Sequence, residues 1–232
     1  MRQFLFLLLL VCAAVGRQSV SAQKIIDKSV DITAGQRVFL NLKQASNIRI
    51  RAGAAGKMTM KATVNINSNR LNDALQIDLS QTGDELRLTA DFDKEMLRPA
   101  RPGDCPARNG DRNIWFGQQV CDDISYEITL SADVALRVYT YGGNVDIAGF
   151  TNSIDAKSLS GFIDVAWPAV KGAELLLKTL NGEVYTDQNI AFSTAQRRNP
   201  IVGYQLRGIL NGSGPLVKLE SISNDVYFRK WK

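Results

Sequence analysis

The chain has 232 residues, no histidine, three cysteines and a formal charge of +5, with 45% hydrophobic and 22% charged residues. Without histidine the commonest general base is missing, and with it every His-dependent triad and zinc site. Lysine and arginine form no run of the kind nucleic-acid binding demands, so the charge argues for solubility and weak attraction to acidic surfaces.

The first 22 residues read as an export leader. Arg2 opens it, Phe4 to Gly16 is an apolar run of 13 residues, and Val20-Ser21-Ala22 supplies the compact residues of a cleavage site. A bilayer span needs roughly 20 apolar residues, so a permanent anchor is not expected. Lipid attachment at Cys12 is disfavoured by Val11 before it. Cleavage after Ala22 removes Arg2 and Arg17, leaving 23–232 with a charge of +3.

Residues 23–95 form an N-terminal β-repeat half. Arg37–Leu42, Ser46–Arg51, Lys57–Ile66, Ala74–Leu79 and Glu85–Phe92 alternate apolar and polar residues, the period of a half-buried strand. Gly83-Asp84 marks a turn, and Arg70–Leu75 suits a short helical turn.

Strand patterning then stops over 96–123, which holds Pro99, Pro102 and Pro106, several glycines and the adjacent Trp115-Phe116. Cys105 and Cys121, the two cysteines that survive cleavage, read as a disulfide in an oxidising compartment. The crosslink closes a 17-residue loop, worth roughly 3 kcal/mol by chain entropy. Long excursions from compact domains often carry function, and tryptophan and arginine are enriched at binding hot spots. Trp115, Phe116, Arg108 and Arg112 are therefore the candidate binding residues. The competing expectation is that the excursion covers an open end of the β structure.

Residues 124–232, the C-terminal half, resume as strand at Ile124–Leu130 and contain a repeat. Leu136–Ile147, Ile154–Val165, Leu175–Thr186 and Val217–Phe228 superpose, each as two short strands around a turn, with apolar first, third and sixth places. Gly143, Gly161, Gly182 and Asn224 close the turns, where positive φ is expected. The starts are 18, 21 and 42 residues apart, and the long last interval holds Tyr204–Leu210 and the turn Asn211–Pro215, which together predict a hairpin into the last unit.

The chain is accordingly all-β, with 23–232 one continuous domain. Repeated short strands with recurring polar places favour a β-solenoid-like stack. The alternative is a twisted antiparallel β-sandwich, which uses the same strands through hairpins.

The units Lys178-Thr-Leu-Asn-Gly-Glu-Val and Leu219-Glu-Ser-Ile-Ser-Asn-Asp-Val resemble the bacterial putative-adhesin β-repeat family, exported domains built from S/T-apolar-N/S-G-acidic-V units. The resemblance is best over Leu136–Phe228, weaker over Val38–Phe92 and absent over Met96–Asp123. It implies a solenoid-like fold in the cell envelope or at the surface and brings no catalytic residues.

Asp146 and Asp164 recur at equivalent places and could stack on one face, but Tyr185 and Tyr227 stand there in the later units, so a solvated outer face is expected rather than a catalytic or calcium pair. No dinucleotide, phosphate-loop or nucleophile-elbow motif occurs. The expectation is an exported, non-enzymatic, adhesin-like protein, periplasmic, surface-bound or secreted. It needs no cofactor or metal, and presents a binding surface to envelope polysaccharide or another envelope protein. An accessory role in envelope structure or signalling is the alternative, with a polysaccharide-acting enzyme behind it.

Overall fold

A computed structural model describes residues 23–101, 103–105, 113–115, 117–193 and 204–231. The expected leader lies outside them. The first part of the chain forms β1 (Lys24–Asp31), β2 (Arg37–Leu42), β3 (Asn47–Gly53), β4 (Lys57–Ile66), β5 (Leu75–Thr82) and β6 (Glu85–Phe92). After the excursion, with its small ribbon β7 (Asn113–Trp115) and β8 (Gln118–Val120), come β9 (Asp122–Ser131), β10 (Ala135–Thr140), β11 (Asn144–Ala148), β12 (Ile154–Ser158) and β13 (Ile163–Pro168). The chain ends with β14 (Ala173–Thr179), β15 (Val184–Thr186), β16 (Ala191–Phe192), β17 (Tyr204–Leu210), β18 (Leu216–Ser221) and β19 (Val226–Trp231). Among the described residues, helix is confined to the single turns Asn72–Ala74 and Lys94–Leu97. Neither is long or apolar enough to cross a membrane.

Two large sheets pack face to face. One has eight strands in the order β1-β4-β9-β3-β11-β13-β19-β15; the other has nine, β16-β17-β14-β18-β12-β10-β2-β6-β5. Alternate residues of both point into one apolar core, in which Leu40, Leu88, Ile50, Val145, Val165, Trp167, Val217 and Phe228 are fully or almost fully buried. This arrangement is sandwich-like, yet its central strands run parallel, and antiparallel pairing is confined to the flanks.

The repeat explains the parallel centre. In every unit the strand before the turn joins the nine-stranded sheet and the strand after it joins the eight-stranded one, so the turn is a corner between layers. Equivalent residues then lie side by side: Leu136 beside Ile154, Ile154 beside Val217, Val217 beside Leu175. Beyond the corner the same holds for Val145, Ile163, Val226 and Val184. β2 and β3 add a fifth rung in the same register, with Val38 beside Leu136 and Ile48 beside Val145.

The rungs do not stack in chain order. The fourth unit lies between the second and the third, which accounts for the doubled interval of 42 residues. The predicted hairpin is therefore absent. β17 pairs antiparallel with β14, while β18 lies on the opposite side of β14, parallel to it. Insertion gives β18 and β19 a neighbour on each side and buries Val217, Leu219, Val226 and Phe228 completely, which a hairpin at a sheet edge would not. By contrast, β5 and β6 do form a tight hairpin, with Thr82 opposite Glu85 and Gly83 at φ 59°.

The corner glycines require a second correction. Gly143, Gly161 and Gly182 do not have positive φ. They are glycine because the corners stack too closely for a side chain. A Cβ on Gly161 would overlap the Gly143 carbonyl, and one on Gly182 would overlap that of Asn224. Asn224 carries a side chain at the equivalent place, and its Nδ2 donates to the Ser160 carbonyl at 3.4 Å.

Candidate functional site

The corners are organised by a buried hydroxyl in the fifth place of each unit: Thr140, Ser158, Thr179 and Ser221, all 0% exposed. Each accepts a hydrogen bond from the backbone N–H three residues on, at 3.2 Å for Gly143, 2.8 Å for Gly161, 3.0 Å for Gly182 and 3.1 Å for Asn224. Three of them also donate to the neighbouring rung: Ser158 to the Gly143 carbonyl, Ser221 to that of Gly161 and Thr179 to that of Asn224, at 2.8–3.2 Å. The inward alternation thus runs through places one, three and five, and the apolar sixth residue is only half-buried. This lattice fixes the register, and the register sets which side chains meet on the outer faces.

On the eight-stranded sheet, Asp146 and Asp164 point outward and are neighbours in register. Neither is free. Arg51 grips Asp146 with both terminal nitrogens, Nη1 to Oδ1 at 3.0 Å. Arg229 holds Asp164 through Nε and Nη2, with Nε to Oδ1 at 2.9 Å. Such bidentate pairs fix the orientation of both carboxylates. Farther along the row Tyr227 and Tyr185 stack, centroids 5.1 Å apart and planes at 15°, with Phe162 edge-on to Tyr227 at 6.1 Å. The Tyr227 hydroxyl donates to Asp225 at 3.0 Å, and that bond, with burial, raises its pKa. Tyr185 is 49% exposed.

On the nine-stranded sheet, Phe39 lies between Arg87 and Arg137, whose guanidinium carbons are 4.8 and 5.6 Å from its ring centroid. An open groove of about 230 Å³ adjoins it, bordered by Arg37, Asp155 and Lys218 among others. Burial opposes ionisation of Glu220, but Lys178 at 3.1 Å and Lys157 at 3.5 Å hold its carboxyl below the usual range.

The excursion begins with the Lys94–Leu97 turn, capped by the Asp93 carboxylate at 2.8 Å from the Glu95 N–H. The disulfide Cys105–Cys121 is formed, Cα atoms 5.7 Å apart. Asn67 anchors it: its N–H donates to the Cys121 carbonyl at 2.9 Å, and its Oδ1 accepts from the Cys121 N–H at 3.0 Å. Asn67, Ser68 and Asn69 all have positive φ, a costly conformation for residues with a Cβ. Of the predicted binding residues, Trp115 falls on β7, while Arg108, Arg112 and Phe116 lie outside the described residues. Sequence reading missed Phe39, Arg87 and Arg137; the two arginines are 48 and 98 residues beyond Phe39 along the chain and adjacent to it only through β2, β6 and β10.

No protein-family model and no curated protein matches the chain. Solved structures do. A protein of Clostridium sporogenes described as a "putative cell adhesion protein" is 13% identical with a TM-score of 0.54, covering 90% of this chain and all of its own. A "putative adhesin" of Bacteroides fragilis is 12% identical with a TM-score of 0.34, covering 91% of this chain and 99% of its own. The first likeness extends the shared fold over almost the whole chain.

Proposed function

We propose that the chain is an exported, non-enzymatic, adhesin-like β-repeat protein of the cell envelope or surface, and that its outer sheet faces are its binding surface. The observation that carries this reading is the register. Stacked units turn side chains remote in sequence into continuous outward rows, aromatic on one sheet and cationic–aromatic on the other. The bidentate arginines support a non-catalytic reading of Asp146 and Asp164, since both oxygens of each carboxylate are already bound to a guanidinium. The adhesion-related description of the Clostridium sporogenes neighbour supports the same role, and the disulfide supports an oxidising, extracytoplasmic setting. In this reading 23–232 is one domain, a β-solenoid-like stack with one rung out of chain order, and its partner is envelope polysaccharide or another envelope protein.

The test is a glycan array together with binding to isolated envelope fractions, repeated with Tyr185→Ala and Trp115→Ala. A surface-exposed stacking ring contributes about 0.5–1.5 kcal/mol, so losing one that contacts the ligand weakens binding roughly 2- to 12-fold. Absence of any glycan or envelope binding by the folded protein would defeat the proposal. Binding untouched by Trp115→Ala would remove the excursion from the site.

A further inference from the structure

The outer face of the nine-stranded sheet carries a line of cations with a regular spacing. Arg87 on β6, Arg137 on β10, Lys218 on β18 and Arg207 on β17 occupy one row across the strands, and each is separated from the next by a single intervening strand. Adjacent strands are about 4.8 Å apart, so the cations recur every ~9.6 Å over a span of ~29 Å. The strands between contribute Phe39, Asp155 and Leu176 to the row. In the next row Lys157 and Lys178 flank Glu220 from either side and share it. The two rows together hold six cations and two carboxylates, Asp155 and Glu220.

The opposite sheet is built differently. Its middle row alternates Asp27, Lys61, Glu127, Arg49 and Asp146, and Arg51 and Arg229 offset the aspartates. The row on the eight-stranded sheet thus alternates in sign over five strands, while the row on the nine-stranded sheet holds four cations to one carboxylate, with Glu85 beside Arg87 at 2.7 Å and Asp155 beside Lys218 at 3.4 Å, although no basic run exists in the sequence. A concentrated field of one sign draws in an oppositely charged partner.

We infer that this row binds a linear anionic polysaccharide bearing one carboxylate or sulfate per disaccharide, laid across the strands. The inference rests on the surface-binding reading above and adds to it the ligand class and the face. A narrow line of charge fits a single extended polymer and not the broad plane of a membrane. Its period of ~9.6 Å suits a charge on alternate sugar rings and mismatches a nucleic-acid strand, where phosphates recur about every 3.4 Å along a duplex. Phe39, with the Arg87 and Arg137 guanidinium groups over its ring, holds these two cations at fixed places in the row, where they meet the anions on either side.

The experiment is titration calorimetry of the intact protein with hyaluronan oligosaccharides of increasing length. Neutral chitin oligomers, a single-stranded oligothymidylate and vesicles containing anionic lipid serve as comparisons. Affinity is expected to rise with length and to level off at about four carboxylates, the number the ~29 Å row can meet. The Arg137→Gln, Lys218→Gln, Arg207→Gln triple variant should bind at least about tenfold more weakly, while Lys61→Gln with Arg49→Gln on the other face should not; circular dichroism establishes that each is folded. No hyaluronan binding, equal binding by the triple variant, or equal affinity for oligothymidylate or vesicles overturns the inference. If those results accompany binding to neutral or envelope glycans, the surface-binding reading survives without it; if nothing binds at all, both fall.

Discussion

Ser158→Ala tests whether the buried hydroxyls hold the corners together. The Ser158 hydroxyl is fully buried, accepts from the Gly161 N–H at 2.8 Å and donates to the Gly143 carbonyl at 3.2 Å. Alanine leaves a buried donor and a buried acceptor without that partner. A buried polar group left unsatisfied costs about 1–3 kcal/mol, with the donor at the expensive end, so the expected loss is about 2–3 kcal/mol. For a domain of this size that lowers Tm by roughly 4–12 °C. Thermal and urea unfolding measure it. Two controls make the result specific. Ser158→Thr should retain most of the stability, because Thr140 and Thr179 fill the same place in other rungs. Ser160→Ala, on the exposed side of the same corner, should stay within about 0.5 kcal/mol. A loss below that same margin for Ser158→Ala would refute the corner lattice as the source of register.

Replacing both Cys105 and Cys121 with serine should cost up to about 3 kcal/mol and open the 96–123 segment to proteases, read by mass spectrometry of the fragments; free thiols found in the unreduced protein would contradict the crosslink. Deleting 216–232 removes one interior strand from each sheet, so the shortened chain should fail to fold as judged by circular dichroism. Cooperative unfolding at near-native temperature would show that the inserted rung is dispensable. Glu220 has a depressed pKa in the folded state, so its contribution is present above about pH 4.3, the unfolded value, and is lost as pH falls through the folded value. Stability–pH curves of the wild type and Glu220→Gln should therefore differ most at neutral pH and converge in acid; a gap that widens in acid contradicts the assignment.

Strand alternation was the legible part of the fold. Arg37–Leu42, Lys57–Ile66 and Glu85–Phe92 stand in the structure with the predicted bounds, because one face of each is buried and a register slip would turn that face to water. The repeat was legible for the same reason. What single-sequence patterning could not supply was partner choice. A strand with alternating residues pairs equally well in either direction, so Tyr204–Leu210 and its turn suggested a hairpin with the last unit. The free energy favoured a slot between two rungs whose apolar places matched. β1 was overlooked because Lys24–Asp31 carries its charges on both faces, as suits an exposed edge strand. The corner glycines were recognised but given the wrong cause, since close approach between rungs leaves no trace in any one unit.

The candidate binding rows were illegible for a deeper reason. A row across a sheet takes one residue from each strand, and here its members come from β6, β2, β10, β12, β18, β14 and β17, in an order no reading along the chain reproduces. Each is an ordinary outward arginine, lysine or phenylalanine in its own segment. Only the hydroxyl lattice, by fixing every corner against the next, turns them into a charge pattern with a period. The inserted fourth unit is decisive in this: it sets Lys218 between Asp155 and Leu176, two strands from Arg137. Without it Asp155 would lack its partner at 3.4 Å, and the cation row would break in the middle. The rung that completes the core is therefore the rung that completes the surface.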